Sequence, residues 1–404
     1  MQNSKLIALE ISDAVIEGEE LWSFCDEFNG LLYANLKSGK VQILDSFPEL
    51  PFSIYHAFGS VVKVDETLVF VPGIADAVYT YHIRKKKFKL FPLPKEMPQI
   101  LGKLKFNQAV VHEDSVFMLG YSQPCIVRFD VTEGHMIYYG EWYQDYLRMG
   151  FGHEILLMDK EICVLESKIY FPPRNGDCII EFDMKKCQCI FHDFNYVKDW
   201  YCSLYYDDGF FWTCGTKNRT IIRMNDRFEV VEELSLRKVE PGMGNIPLME
   251  GDAYFRFSYK KGDFIWLFSD RFTKYIQVDI VKRKVSVHSY SDYGKYDVFS
   301  FANMKCTQNG IYIFEPLRKR LYIYSEEMKR MKVFRFEVDQ NDIFGCLDAS
   351  VVEYFLYEKE KYINLNYLIW QVQIGTHSYK EKNMTNNGAE ILELCKRGLT
   401  DICF

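Results

Sequence analysis

The chain has 404 residues, is 48% hydrophobic and carries a formal net charge of −7. That length allows two or three ordinary domains or one large repeat domain, and that hydrophobic content excludes wholesale disorder. The negative charge argues against general nucleic-acid affinity, which needs a basic face.

The N-terminus, MQNSKLIALEISDAVIEGEE, lacks the basic start and long apolar core of a signal peptide. No apolar stretch reaches the length of a membrane span. A cytoplasmic chain with neither nucleic acid nor membrane as partner is therefore expected. The 32 Phe and 28 Tyr favour β structure over a helical bundle. Within the first residues, Leu6–Ile11 has strand character and is expected to complete the last sheet of the fold, tying the chain ends together.

From there one plan repeats. Its clearest instance is Lys168–Phe191, KIYFPPRNGDCIIEFDMKKCQCIF. A short apolar run centred on an aromatic stops at a Pro/Gly turn, a second apolar run follows, and a lysine turn leads to a third. Runs of this kind read as strands joined by hairpins. Seven copies align on the aromatic of the second strand: Tyr33, Phe70, Phe117, Tyr170, Trp212, Trp266 and Tyr312. Their spacings are 37, 47, 53, 42, 54 and 46 residues, close to the period of four-stranded propeller blades. The following strand repeats at Ile43, Tyr81, Phe129, Phe182, Met224, Val278 and Tyr324, offset from the anchors by 10, 11 and then 12 residues throughout. A fixed hairpin with variable connections outside it is the expected signature of blades that keep their strands and vary their loops. An apolar strand precedes each anchor across a turn such as Asp65-Glu66, Glu113-Asp114 or Asp207-Asp208-Gly209. A weaker fourth run follows most copies.

Four strands cannot bury two faces alone, so the copies must stack, and closing the stack into a ring protects its edges. The expected fold is all-β: a seven-bladed β-propeller of four-stranded antiparallel blades over residues 1–338. Residues 339–404 break the pattern. Ala389–Arg397 lies between Gly388 and Gly398, which suits a helix with its C-cap, and a mainly helical C-terminal appendage is expected. The alternation of Leu368, Trp370, Val372 and Ile374 leaves a strand open there.

The second and third copies, LVFVPGIADAVYTYHIRKKKFKLFPLP and AVVHEDSVFMLGYSQPCIVRFDV, resemble kelch-type propeller repeats. They share an apolar strand ending at glycine (Gly73, Gly120), an aromatic third strand (Tyr79, Tyr81; Phe129) and an aromatic after the charged turn (Phe88). The paired glycines of kelch repeats are reduced here to single ones. The resemblance implies a propeller that serves as a binding platform, with sugar-processing enzymes as the other use of such rings.

Site chemistry is sparse. The 12 cysteines are scattered with no CxxC, the closest pair being Cys187 and Cys189, so reduced thiols are expected and no metal or cofactor. The eight histidines show no HxH or HExxH spacing. His153, beside Glu154, and His192, beside Asp193, lie near blade junctions and are the acid/base candidates. The loops between second and third strands carry Arg174, Arg219, Arg271 and Arg318 in four consecutive copies. If these converge they form a site for carboxylate or phosphate; hairpin loops also tolerate arginine with no such role. Connections between blades carry Trp142, Tyr146 and Trp200, which suit a sugar or protein contact or, alternatively, cap the core. Two functions follow. The first is a non-catalytic binding or scaffolding module for a protein or an anionic or sugar-containing ligand. The alternative is an enzyme of the epimerase, mutarotase or lyase type acting on a sugar or cyclic ester.

Overall fold

The structure, a computed structural model, describes residues 6–50, 56–97, 104–121, 125–149, 162–172, 178–193, 199, 201–215, 218–236, 255, 257–268, 274–289, 303–339 and 341–343. Among them, thirty strands form seven four-stranded antiparallel sheets and one two-stranded ribbon. The blades occupy residues 14–46, 58–92, 106–139, 163–193, 201–235, 257–289 and 303–335. Each blade consists of four consecutive strands running outward from an inner to an outer position. The compact unit that contains them extends over Met1–Asp342. The helical appendage expected over 339–404 lies, but for its first few residues, outside the described residues.

Burial follows strand position. Second strands such as Ser115–Gly120 and Gly310–Glu315 are buried at every residue, because neighbouring blades cover both faces. Outer strands such as Lys87–Pro92 and Val230–Ser235 alternate between exposed and half-buried residues. This is why the second strands read as continuous apolar runs and the fourth as weak ones. The two-residue turns from first to second strands place Asp65, Glu113, Glu166 and Asp208 at φ 48°, 52°, 53° and 51°. Left-handed residues match the twist of a tight hairpin.

In six copies the anchor falls on the second strand as expected. The first copy differs: Tyr33 lies on the third strand, Gly30–Asn35, and its equivalent on the second is Trp22, directly opposite it. Both strands of that hairpin are apolar and carry one large aromatic, and the rings pack with centroids 5.7 Å apart, so sequence alone offers two registers. With Trp22 as anchor, the facing residue on the third strand lies eleven positions later in six blades (Tyr33, Arg128, Glu181, Arg223, Gln277, Ile323). In the second blade, Phe70 faces Tyr79, nine positions later.

The N-terminal strand is shorter than expected and joins no blade. Leu6–Ala8 pairs antiparallel with Glu337–Asp339, just past the last blade, as a separate ribbon, and Leu9 N–H extends it by donating to Phe336 O at 2.8 Å. It does tie the chain ends together, but from outside the blades.

Antiparallel strands put the connections from second to third strands, and those between blades, at one end of the ring. At this end the inner strands carry bulges, at Phe58/Ser60, Phe106/Gln108 and Tyr201/Leu204. The second blade's bulge contains Gly59, where an added Cβ would stand 1.9 Å from Phe106 O. Only glycine lets those two inner strands approach so closely.

Candidate functional site at the seam end of the ring

Buried charge concentrates where the first and last blades meet. Asp13, fully buried just before the inner strand Ala14–Glu17, is the hub. Its Oδ2 accepts hydrogen bonds from Ser60 Oγ (2.7 Å) and Val61 N–H (3.0 Å) of the second blade. Its Oδ1 accepts from Asn303 Nδ2 (2.7 Å) of the seventh and lies 2.8 Å from Lys305 Nζ. One carboxylate thus joins three blades. Lys319, from the turn after the second strand of the seventh blade, pairs with Glu27 at 2.5 Å and donates to Ala8 O at 3.1 Å.

Beside this hub, Asp26 and His56 face each other with Nδ1 3.4 Å from Oδ1. Asp26 is 1% exposed, and among the described residues neither of its oxygens accepts a hydrogen bond. His56 has a left-handed backbone, φ 56°. Its carbonyl accepts from Ile74 N–H at 3.0 Å and stands 2.5 Å from where a Cβ on Gly73 would be. A buried carboxylate without donors beside a strained histidine is the kind of arrangement that stability alone does not select. Cys25, next in sequence, is no nucleophile: burial pushes its thiol well above its ordinary value. Further round, Lys105 Nζ donates to Ile74 O (2.7 Å) and Ala75 O (3.0 Å) and pairs with Asp76 at 2.9 Å, pinning one blade's turn to the segment entering the next.

The arginines do not form a demonstrated cluster. Arg318 stands 3.7 Å from the fully buried Glu315, a charge partner within its own blade. Arg219 is half-buried at φ 54°, in a turn where Asn218 N–H donates to Asp199 at 2.9 Å. Arg174 and Arg271 lie outside the described residues, as do Trp200 and His153.

Trp142 and Tyr146 require a correction. They sit one turn apart on a short helix, Trp142–Arg148, and both are buried, in the core between the third and fourth blades. Trp142 Nε1 donates to Tyr139 O at 3.1 Å, and both rings pack on Phe191, with centroids 6.4 and 5.9 Å away. Their i, i+4 spacing is a helical signal that marks one buried face. They cap the core, and a ligand finds no contact area on them.

His192 is on the outer strand Gln188–Asp193. Its partner is Glu181 (Nε2 to Oε2 2.8 Å), not its neighbour Asp193, and Lys168 Nζ approaches Oε1 of the same carboxylate at 2.6 Å. Burial pushes the Glu181 carboxyl up, but the bonds from Lys168 and His192 outweigh it and hold the group below the usual carboxylate range. The sixth blade repeats the geometry at the same strand positions, His288 Nε2 to Gln277 Oε1 at 3.1 Å. There burial lowers the imidazole's proton affinity. A pair that recurs with a neutral partner is a brace between the third and outer strands of one blade, so His192 is better explained as structure than as an acid/base group.

The fold thus defines a seven-bladed β-propeller with one cluster of buried polar groups at its seam. No protein-family model matches the sequence, nor does any curated protein. Among solved structures the chain is similar to virginiamycin B lyase from Staphylococcus aureus, with a TM-score of 0.53 and 11% identity over 77% of this chain and 95% of that one. A catalytically inactive form of that lyase with quinupristin gives 0.54, at 11% identity over 77% and 96%. PorZ, a surface component of the type-IX secretion system of Porphyromonas gingivalis, gives 0.50, at 11% identity over 81% of this chain and 38% of that one. Identities this low establish the shared fold alone, and the roles of these proteins differ.

Proposed function

We propose that this chain is a non-catalytic binding propeller that takes a protein, or an anionic or sugar-containing ligand, on the end of the ring where second strands pass to third. One observation carries this reading: the inequality of the two ends. At one end the strands are joined by short turns such as 65–66, 83–86 and 113–114. At the other, the connections between blades run over 93–105, 140–162, 236–256 and 290–302. Long connections on a rigid scaffold are where propellers carry recognition. The kelch-type resemblance of the second and third copies supports the same reading. Arg219 and Arg271 supply its anion-recognising charge. Replacing both with alanine is expected to weaken binding to an anionic-glycan panel about tenfold or more. The melting temperature should fall by no more than about 4 °C, because a half-buried turn residue such as Arg219 contributes about 1 kcal/mol. A folded double variant that binds the panel like the parent overturns this role.

The Asp26–His56 pair favours a second reading, an enzyme acting on a cyclic ester, with Asp26 orienting the imidazole as base. Its test is chromatographic conversion of simple lactones and quinupristin. Turnover by the parent and none by His56→Gln is expected; no turnover by the parent removes the reading.

A further inference from the structure

A cleft of about 700 Å³ opens on the outer side of the seam, with Gly39, Arg320, Lys332, Phe334, Arg335 and Glu337 among its walls. Gly39 comes from the outer turn of the first blade, Arg320 begins the third strand of the seventh, and Lys332–Arg335 belong to that blade's outer strand. Glu337 begins the closing ribbon. Three cations therefore face one carboxylate.

Two details of this cleft are unfavourable to the fold on its own. Arg320 and Arg335 are direct cross-strand partners, and like charges in that position, about 5 Å apart at Cα, destabilise a sheet. The Nε of Arg320 is buried and, among the described residues, has no hydrogen-bond acceptor, although the Tyr322 hydroxyl and Glu315 beside the guanidinium favour its charge. The nearby acids compensate only in part. Glu315, opposite Arg320 on the other side, is fully buried and already accepts from Tyr322 Oη (3.0 Å) while facing Arg318. Glu337 reaches Arg335 at 3.8 Å, with both side chains more than a third exposed, a geometry of little energetic weight. Lys332 donates to Leu36 O and stands 5.3 Å from the centroid of Phe334, which fixes its charge at the cleft wall. Gly39 has φ 79° with nothing within 4 Å of a built Cβ, so the approach is open.

We infer that this cleft is a binding site for a dianionic oxyanion of the phosphate-monoester kind, held between the Arg320 and Arg335 guanidinium groups with Lys332 behind them. Arginine forks match the oxygens of a phosphate two at a time, and an anion between the pair converts a like-charge repulsion into two attractions. The same chemistry is offered by a small phosphate ester or by a phosphorylated side chain. The site lies on the outer edge of the seventh blade at the loop-bearing end, where the third strand begins and the outer strand finishes, and it does not depend on the function proposed for that end.

The test is calorimetric titration of the full chain with phenyl phosphate, with a phosphoserine peptide, and with that peptide unphosphorylated. Binding of either phosphorylated probe but not the plain peptide is expected, the tighter of the two identifying the source. Arg335→Ala, at an exposed side chain, should weaken it about tenfold with a melting temperature no lower than the parent's, since a like-charge pair is removed, and Arg219→Ala should leave it within threefold. Failure of the parent to bind either probe, equal binding of the plain peptide, or an Arg335→Ala effect below threefold overturns the proposal.

Discussion

Replacing Asp13 with alanine is expected to lower the unfolding free energy by about 3–5 kcal/mol, the usual cost of removing one partner from a buried ion pair. The reason lies in how the ring closes. Each described blade is built from consecutive strands, so no blade is shared between the two ends of the chain. Closure rests on the ribbon Leu6–Ala8 with Glu337–Asp339 and on Asp13, which binds the seventh blade through Asn303 and Lys305 and the second through Ser60 and Val61. Alanine strands Lys305, whose side chain is 26% exposed, and leaves the other donors without their acceptor. Denaturant midpoints for Asp13→Ala, Lys305→Met and the double variant measure the coupling. The double variant should recover at least about 1 kcal/mol relative to the summed single changes. A single Asp13→Ala loss below about 1 kcal/mol would show that the ribbon alone holds the ring.

Phe47→Ala is expected to cost about as much, roughly 3–5 kcal/mol, for a different reason. Phe47 is 2% exposed and sits between the first and second blades, with ring centroids 4.6 Å from Phe58, 4.8 Å from Phe70, 5.0 Å from Phe88 and 5.7 Å from Tyr79. Two of these contacts, with Phe70 and Tyr79, are edge-on, an arrangement aromatic rings prefer. Interiors are close-packed, and neighbouring blades pinned at their inner strands cannot collapse into the cavity, so most of the lost contact stays lost. Phe47→Leu keeps more of the volume and should cost less than half as much. Urea midpoints order the three proteins; equal midpoints for alanine and leucine would mean that the site repacks freely.

What was legible in the sequence followed from range. A hairpin is a local object: the runs at Lys168–Phe171 and Cys178–Asp183 and the turns at Asp65, Glu113 and Asp208 carry their own signals within about a dozen residues. Blade number could be counted from them. The slip at Tyr33 came where two adjacent strands carry the same signal, and only pairing distinguishes them. Of the two roles open to Trp142 and Tyr146, burial supports capping the core, and seven residues of helix in a connection leave too short a pattern to separate the two. The seam cluster could not be foreseen from spacing: Asp13 and Asn303 are 290 positions apart, and an isolated aspartate before a strand resembles any turn residue. His56 and Arg320 were visible as residues but not as neighbours of Asp26 and Arg335.

The amino-acid order alone determined that there would be seven sheets of four strands, because apolar alternation and turn chemistry are satisfied within each hairpin. Tertiary packing alone decided which charges meet. Side chains from blades far apart in the chain come together only once a closed ring fixes every inner strand against its neighbours, and burial then makes the pairing at Asp13 the energetically decisive one.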